Sequence, residues 1–394
     1  MIGPGWAGDE RARPRANGDT KRRIAIVTGT RAEFGILKTV MFAVRERTDL
    51  ELLVIAAGAH LVQPALTFRE IKKEFDVADS IPMQTVGRVG RWHDVESTGK
   101  GISRFARSFE RLRPDVIVVL GDRIEAFAAA SAASIGGLPV AHLHGGDLAE
   151  GVADEAMRHA ITKLAHIHFP ATETSALRIL RMGEPRSHVH VVGSPAIDGL
   201  AGIEAMGDDR AQELGDPQVV LLIHPIGRPD EQEEAVASSA LEAIGNRRTL
   251  CLLPNLDPGR VGIVRAIESA SEQSHVSVCE HLKREEFVGL LKRLAQSGGL
   301  LVGNSSAGLI EAGAIGVPTV NIGSRQSGRE RGTNVVNAHG ETTCAIADAI
   351  GRAIEIDRST ITHPFGDGKT GVRVAEILSG VNLADPGLVR KHFI

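Results

Sequence analysis

Residues 300–323 have the sequence LLVGNSSAGLIEAGAIGVPTVNIG. The order of residues is typical of an apolar strand, a tight turn of small residues and the start of a helix. A Gly-Val-Pro break then leads into a second apolar strand. This strand-turn-helix-strand unit predicts an α/β domain with a parallel sheet.

The turn in this segment has the composition of a phosphate-binding loop. It places backbone N–H groups and the hydroxyls of Ser305 and Ser306 at the positive end of the predicted helix, where a phosphate is stabilised. Glu311 would lie about one and a half turns into that helix, and a carboxylate can accept two hydrogen bonds from a ribose diol. The pattern favours a nucleoside-diphosphate site, although an ordinary strand-turn-helix unit has the same spacing.

Length and composition indicate a globular protein of two domains. The 394 residues exceed one typical core, and the hydrophobic fraction of 42% is that of a folded chain. A net charge of −4 and an aromatic content of 3% give no basis for a nucleic-acid partner or an anionic membrane. Three scattered cysteines form neither a disulfide framework nor a zinc site, so we expect a cytoplasmic protein without a metal.

Apolar segments alternate with segments of helical periodicity along the chain. The predicted strands include residues 23–27, 50–57, 116–120, 139–143, 219–223, 248–253, 300–302 and 319–321. A fully apolar strand such as residues 116–120 is expected in a sheet that is covered on both faces. The chain therefore predicts two Rossmann-like, doubly wound parallel-sheet domains with a cleft between them.

Composition also suggests where these domains begin and end. Residues 1–22 are rich in Gly, Pro and Arg and predict a disordered basic extension. The first domain would cover residues 23–200 and the second residues 201–375, with residues 376–394 as a tail or helix. A segment rich in Gly, Asp and Glu, residues 199–215, would link the two domains.

Polar residues recur at the carboxyl ends of the predicted strands, where doubly wound sheets bind their ligands. They are Arg31, Asp122, His144, His224, Asn255, Ser305 and Ser306. Six strand ends of this kind favour an enzyme. Two arginines at such ends, Arg31 and Arg123, are natural partners of a diphosphate. Each residue also has a structural interpretation: Asp122 could cap the following helix, and His224 could be satisfied by a backbone carbonyl.

The chain resembles the UDP-N-acetylglucosamine 2-epimerases, and in particular their hydrolysing branch. The resemblance spans roughly residues 23–374 and depends on several motifs in a fixed order. They are TGTRAEFG (28–35), LGDR (120–123), GGD (145–147), DEAMRHAITK (154–163), His224-Pro225, PNLD (254–257), GNSS (303–306) with Glu311, and GSRQSGRERGTN (323–334).

The resemblance implies a glycosyltransferase-B-like pair of domains, no cofactor, and a UDP-amino sugar as the partner of a homodimer or homotetramer. A carboxylate would remove the C2 proton while UDP leaves C1, and water would add to the resulting glucal. Asp122 and Asp154 would supply the carboxylates. The resemblance assigns diphosphate contacts to Arg31, Arg123 and His224, and nucleotide contacts to Asn255, Ser305, Ser306, Glu311 and Arg325.

The sequence departs from the family pattern at two positions. Many members carry Glu where this chain has His144, so either His144 takes over proton transfer, or Asp147 does, or the site is arranged differently. Many members also carry Lys at the position of Ile36, and the nearest lysine here is Lys38.

Four functions are compatible with these residues. The first is hydrolysing 2-epimerisation of UDP-N-acetylglucosamine to N-acetylmannosamine and UDP. The second is the same reaction on a UDP-2,4-diacetamido-2,4,6-trideoxyhexose, and the third is a non-hydrolysing 2-epimerase. The fourth is a catalytically silent UDP-sugar-binding regulator, against which the presence of Asp122, Asp154 and His224 argues.

Overall fold

The computed structural model describes residues 21–63, 66–88, 90–149, 155–255 and 257–391. Within these ranges twelve parallel strands form two six-stranded sheets. The strands of the first sheet are β1 (Arg22–Thr28), β2 (Leu50–Ala57), β3 (Val77–Ile81), β4 (Val116–Leu120), β5 (Val140–Leu143) and β6 (Ile167–Phe169). Those of the second are β7 (Val219–Leu222), β8 (Thr249–Leu252), β9 (Val276–Cys279), β10 (Leu300–Gly303), β11 (Thr319–Asn321) and β12 (Val335–Asn337).

Both sheets have the same doubly wound strand order. The first runs β3-β2-β1-β4-β5-β6 and the second β12-β11-β10-β7-β8-β9. The direction in which successive strands are added to the sheet reverses between β1 and β4 in the first domain, and between β7 and β10 in the second. These are the points where doubly wound sheets open a crevice for a ligand. The predicted pair of Rossmann-like parallel-sheet domains is confirmed.

Each sheet is buried on both faces at its centre because the central strands are largely apolar. In β1, Ile24 and Ile26 pack into one core while Ala25 and Val27 pack into the core on the opposite face. The strand period of two therefore places hydrophobic side chains on both sides.

Helices cover both faces of the sheets. They are α1 (Arg31–Glu46), α2 (Phe68–Glu74), α3 (Arg91–Leu112), α4 (Ile124–Ile135), α5 (Glu155–Leu164), α6 (Glu173–Arg181), α7 (Asp208–Glu213), α8 (Asp230–Ile244), α9 (Arg260–Ala270), α10 (Arg284–Ser297), α11 (Ser306–Leu309), α12 (Glu311–Ile315), α13 (Thr343–Ile354) and α14 (Thr370–Gly380). None of these helices combines the length and the apolar composition that a membrane span requires.

The helix α14 returns to the first domain. Its residues Val374 and Leu378 lie in the core of the first sheet. The carboxylate of Asp198 accepts hydrogen bonds from the first two backbone N–H groups of the helix, those of Thr370 at 3.0 Å and Gly371 at 2.6 Å. The helix thus continues past residue 375, the predicted end of the second domain. Of the predicted N-terminal extension, residues 1–20 lie outside the described residues.

Candidate functional site

The loops at the carboxyl ends of the two sheets contact each other across the domain boundary. Nη1 of Arg123, directly after β4, lies 3.6 Å from Oδ1 of Asp257, in the loop after β8. The strand ends after β4 and β8 therefore face each other across a cleft between the domains.

Asp122 is paired with an arginine that the sequence analysis did not single out. Its carboxylate, 19% exposed, forms an ion pair with Nη2 of Arg158 on α5, whose side chain is 4% exposed. Burial and the charges of Arg329 and Arg325 lower the pKa of Arg158 to about 9, so the guanidinium remains a cation near neutral pH. Residue 123 is the N-cap of α4 and no side chain caps that helix, so Asp122 does not have the capping role considered above.

His144 lies buried in the turn after β5 with a left-handed backbone conformation, φ 60°. Its Nδ1 lies 2.8 Å from Oδ2 of Asp147 and its Nε2 lies 2.9 Å from Oγ of Ser194. A carboxylate only accepts, so Nδ1 donates to Asp147, while Nε2 shares a hydrogen bond with the Ser194 hydroxyl. Both ring nitrogens of His144 therefore have protein partners.

Asp147 is 2% exposed and accepts from three donors. Besides His144, they are Oγ of Ser175 at 2.9 Å and Nη2 of Arg329 at 3.2 Å. Burial alone would raise the pKa of Asp147, but these neighbours outweigh it and hold the pKa well below its usual range. Asp147 is therefore a carboxylate at neutral pH and has no proton to give.

His224 is held as a neutral imidazole. Asn304 fixes its backbone, accepting from the His224 N–H at 2.7 Å and donating to its carbonyl at 2.8 Å. Nδ1 accepts from the backbone N–H of Asn255 at 3.2 Å, which leaves the ring proton on Nε2. Burial and the charge of Arg325 lower the pKa of His224 to about 3. His224 is thus a hydrogen-bond donor at neutral pH, without a positive charge.

The segment after β10 differs from the predicted long helix. Ser305 caps α11, accepting from the N–H of Ala307 at 3.4 Å, but α11 ends at Leu309 and a second short helix begins at Glu311. Gly308 and Gly313 lower the helix propensity of this segment. Ser306 begins α11, and so short a helix has a small dipole.

Glu311 and Arg325 lie beside the same segment. The carboxylate of Glu311 pairs with Nη1 of Arg284 at 3.5 Å. Nη1 of Arg325 donates to the carbonyl of Asn304 at 3.2 Å, which places the guanidinium next to the serine turn.

Arg31 begins α1 on the first-domain side of the cleft. Burial and the charge of Arg31 lower the pKa of His60 to about 4, and the same two causes lower the pKa of His281 in the second domain. Arg31 therefore lies within electrostatic range of both domains. Lys38 pairs with Glu74 at 2.6 Å and with Glu285 of the second domain at 3.5 Å. Its positive charge is therefore already balanced by carboxylates.

The structure adds residues that the sequence analysis did not single out. They are Arg158, Ser175, Arg178, Ser194, Arg329 and Glu330. Arg158 and Arg329 belong to the quoted motifs DEAMRHAITK and GSRQSGRERGTN. Their place in these motifs was the sequence signal that could have identified them. Asp154, predicted as a catalytic carboxylate, lies outside the described residues.

Comparison with known proteins identifies the class and then the family. A family model described as UDP-N-acetylglucosamine 2-epimerase matches residues 42–379. The chain is 35% identical over 373 residues to a Legionella pneumophila UDP-N,N′-diacetylbacillosamine 2-epimerase (hydrolyzing), covering 92% of this chain and 97% of that relative. It is 31% identical over 374 residues to a Neisseria meningitidis UDP-N-acetylglucosamine 2-epimerase, covering 91% and 95%. The protein is an enzyme of the sugar-epimerase class. It belongs to the UDP-N-acetylglucosamine 2-epimerase family, which confirms the resemblance.

Solved structures share the fold. A Methanocaldococcus jannaschii UDP-GlcNAc 2-epimerase in complex with UDP-GlcNAc and UDP has a TM-score of 0.77 at 20% identity, covering 91% of this chain and 99% of that one. A Neisseria meningitidis UDP-GlcNAc 2-epimerase bound to UDP-GlcNAc has a TM-score of 0.74 at 20% identity, covering 90% and 99%.

Proposed function

We propose that this protein is a hydrolysing 2-epimerase that converts UDP-N-acetylglucosamine to N-acetylmannosamine and UDP. The observation that carries the proposal is the ion pair of Asp122 with the buried Arg158. Arg325, which contacts Asn304 before the serine turn, acts electrostatically on both Arg158 and His224. One edge of this cleft offers a proton acceptor and the other offers donors for a nucleotide.

Asp122 acts as the general base. It removes the proton from C2 of the sugar while the C1–O bond to UDP breaks, which leaves a glucal. A positioned base typically contributes about 10²–10⁴-fold to the rate. Arg158 supports this role because it stabilises the charged form of Asp122, the form that accepts a proton.

The leaving diphosphate is stabilised by cations and by a neutral histidine. Arg31, Arg123 and Arg325 supply positive charge from both domains. His224 donates Nε2–H to a phosphate oxygen; with its pKa lowered to about 3 it stabilises the leaving group without transferring a proton. Asn255, Ser305, Ser306 and Glu311 hold the nucleoside on the second domain.

Water then adds across the double bond, with the new C2 proton on the other face. His144 and Asp147 hold the protein groups on this side of the site in place. Neither supplies the proton, because both ring nitrogens of His144 have protein partners and Asp147 is a carboxylate. Asp154 is the proposed second acid-base carboxylate, on the basis of its place in the family motif.

A second substrate is favoured by one specific comparison. The 35% identical Legionella pneumophila relative carries the name of a hydrolysing UDP-N,N′-diacetylbacillosamine 2-epimerase. We therefore propose this 2,4-diacetamido sugar nucleotide as the alternative substrate of the same chemistry.

The test is incubation with each UDP-sugar in ¹⁸O water, followed by mass spectrometry of sugar and nucleotide. A hydrolysing epimerase releases UDP without label and a free 2-epimer with one heavy oxygen. An unlabelled UDP-linked epimer would identify the non-hydrolysing reaction instead. Binding of UDP without turnover of either sugar would support the silent regulator.

A further inference from the structure

Of the three nitrogens of the Arg158 guanidinium, only Nη2 has a partner among the described residues. Nη2 pairs with Asp122, whereas Nε and Nη1 are buried and have no hydrogen-bond acceptor within the part of the chain that the structure describes. The side chain is 4% exposed, so water does not freely replace a missing acceptor. Burying charged N–H donors without a partner is costly, and such donors in a cleft indicate a ligand.

The charges around Arg158 indicate that this ligand is an anion. Arg325 and Arg329 lie close enough to lower the pKa of Arg158. Nη1 and Nη2 of Arg329 are used by Gln326 at 3.1 Å and Asp147 at 3.2 Å, but its Nε is also buried without an acceptor among the described residues. Two further guanidinium groups thus lie within electrostatic range of the unpaired donors of Arg158, which favours an anionic ligand.

We infer that Arg158 binds the sugar-linked phosphate of the substrate through Nη1 while it holds Asp122 through the neighbouring Nη2. Nε of Arg329 is a further donor to the same phosphate. The inference rests on the proposed function, because that function supplies the diphosphate. It assigns the β-phosphate specifically, since this phosphate is attached to C1, the neighbour of the carbon from which Asp122 takes its proton.

The arrangement gives Arg158 a positioning role as well as a binding role. One planar group spans the base and the leaving phosphate, so the two are held in a fixed relation while the C2–H and C1–O bonds break. Arg158 itself gives up no proton, and its charge stabilises the developing negative charge on UDP.

The experiment is calorimetric titration of UDP and of UMP, which lacks the β-phosphate, into Arg158→Gln, Arg158→Lys and Arg329→Gln. We expect the Kd for UDP to rise at least about 10-fold in Arg158→Gln, as for a lost charge-assisted pair, and less in Arg329→Gln. The Kd for UMP should change less than about threefold. Arg352→Gln, an exposed arginine that pairs with Asp348 on α13, removes the same charge far from the cleft and should change neither constant.

Two further readouts separate phosphate binding from a purely structural role. Arg158→Lys keeps a cation for Asp122 but loses the planar fork, so it should weaken UDP while the acidic limb of the pH–rate profile stays in place. If Arg158→Gln does not fold, the UDP and UMP titrations of Arg158→Lys and Arg329→Gln test the inference instead. Unchanged UDP affinity in folded variants, or an equal loss for UDP and UMP, would overturn the inference. Failure of the unsubstituted protein to bind UDP would instead overturn the proposed function.

Discussion

Nη2 of Arg329 in the second domain lies 3.2 Å from Oδ2 of Asp147 in the first, and the same carboxylate oxygen accepts from His144 at 2.8 Å. A parallel contact lies beside it, where Arg178 pairs with Glu330 at 2.6 Å. The segment that carries Arg325 is thus attached to the acidic side of the cleft by two charge pairs. A shift of the Arg325 segment would therefore disturb the contacts of Asp147 and Arg178 in the first domain.

Asp122→Asn should lower kcat by at least about 100-fold and leave UDP affinity nearly unchanged, because an amide cannot take the C2 proton but its oxygen still accepts a hydrogen bond from Arg158. Steady-state kinetics and UDP titration on the same preparation measure the two effects. An equal loss of UDP binding would assign Asp122 a structural role.

Glu311→Ala should have the opposite profile and weaken UDP first, since a ribose diol would lose its acceptor. The variant also leaves Arg284 without its carboxylate. Glu311→Gln, which keeps one acceptor oxygen, should bind UDP with intermediate affinity. Unaltered UDP binding in both variants would remove Glu311 from the nucleotide site and leave it as the partner of Arg284.

Glu330→Gln tests the connection between the domains. The Arg178–Glu330 pair is partly exposed, at 24% and 12%, so its loss should lower the free energy of unfolding by only about 1 kcal/mol. We expect KM to rise about three- to tenfold, because the Arg325 segment is less firmly placed. Glu234→Gln removes a pair with Arg265 inside the second domain and should leave KM unchanged. Equal KM values for the two variants would contradict the connection.

The buried His142 predicts a stability that falls on acidification. Burial lowers its pKa to about 3, against about 6.5 for an unfolded histidine, so between these values the unfolded chain binds an extra proton. The free energy of unfolding should therefore decrease as pH falls from about 6.5 to 4, by up to about 1.4 kcal/mol per pH unit for this group.

His142→Gln isolates the contribution of His142. Urea unfolding at several pH values should show a shallower pH dependence for this variant, with no such difference in slope above pH of about 7, where the histidine is neutral in both states. Glu33 acts in the opposite sense, because burial and the charge of Glu125 raise its pKa to about 7. An unchanged slope in His142→Gln would show that other groups control the acid response.

The sheets were predictable wherever a strand is apolar on both faces. β4, with the sequence VIVVL, is a clear case. The edge strands β3 (VADSI), β6 (IHF) and β12 (VVN) were missed because β3 contains two consecutive polar residues and the other two have only three residues each. The prediction of a single helix from Ser306 was wrong for a local reason. Two glycines lower the helix propensity of this segment, and the helix is interrupted at Ile310.

The sequence by itself determined the two doubly wound domains and the strand ends where polar residues collect, because hydrophobic periodicity and short turns are local properties of the chain. Only the tertiary structure decided which of those residues meet. Asp122 pairs with Arg158, His144 hydrogen-bonds to Asp147 and Ser194, and helix α14 packs in the core of the first sheet. Apart from the local His144–Asp147 contact, these contacts join segments far apart in the chain. The packing of helices on sheets sets the distances on which such hydrogen bonds and charge pairs depend.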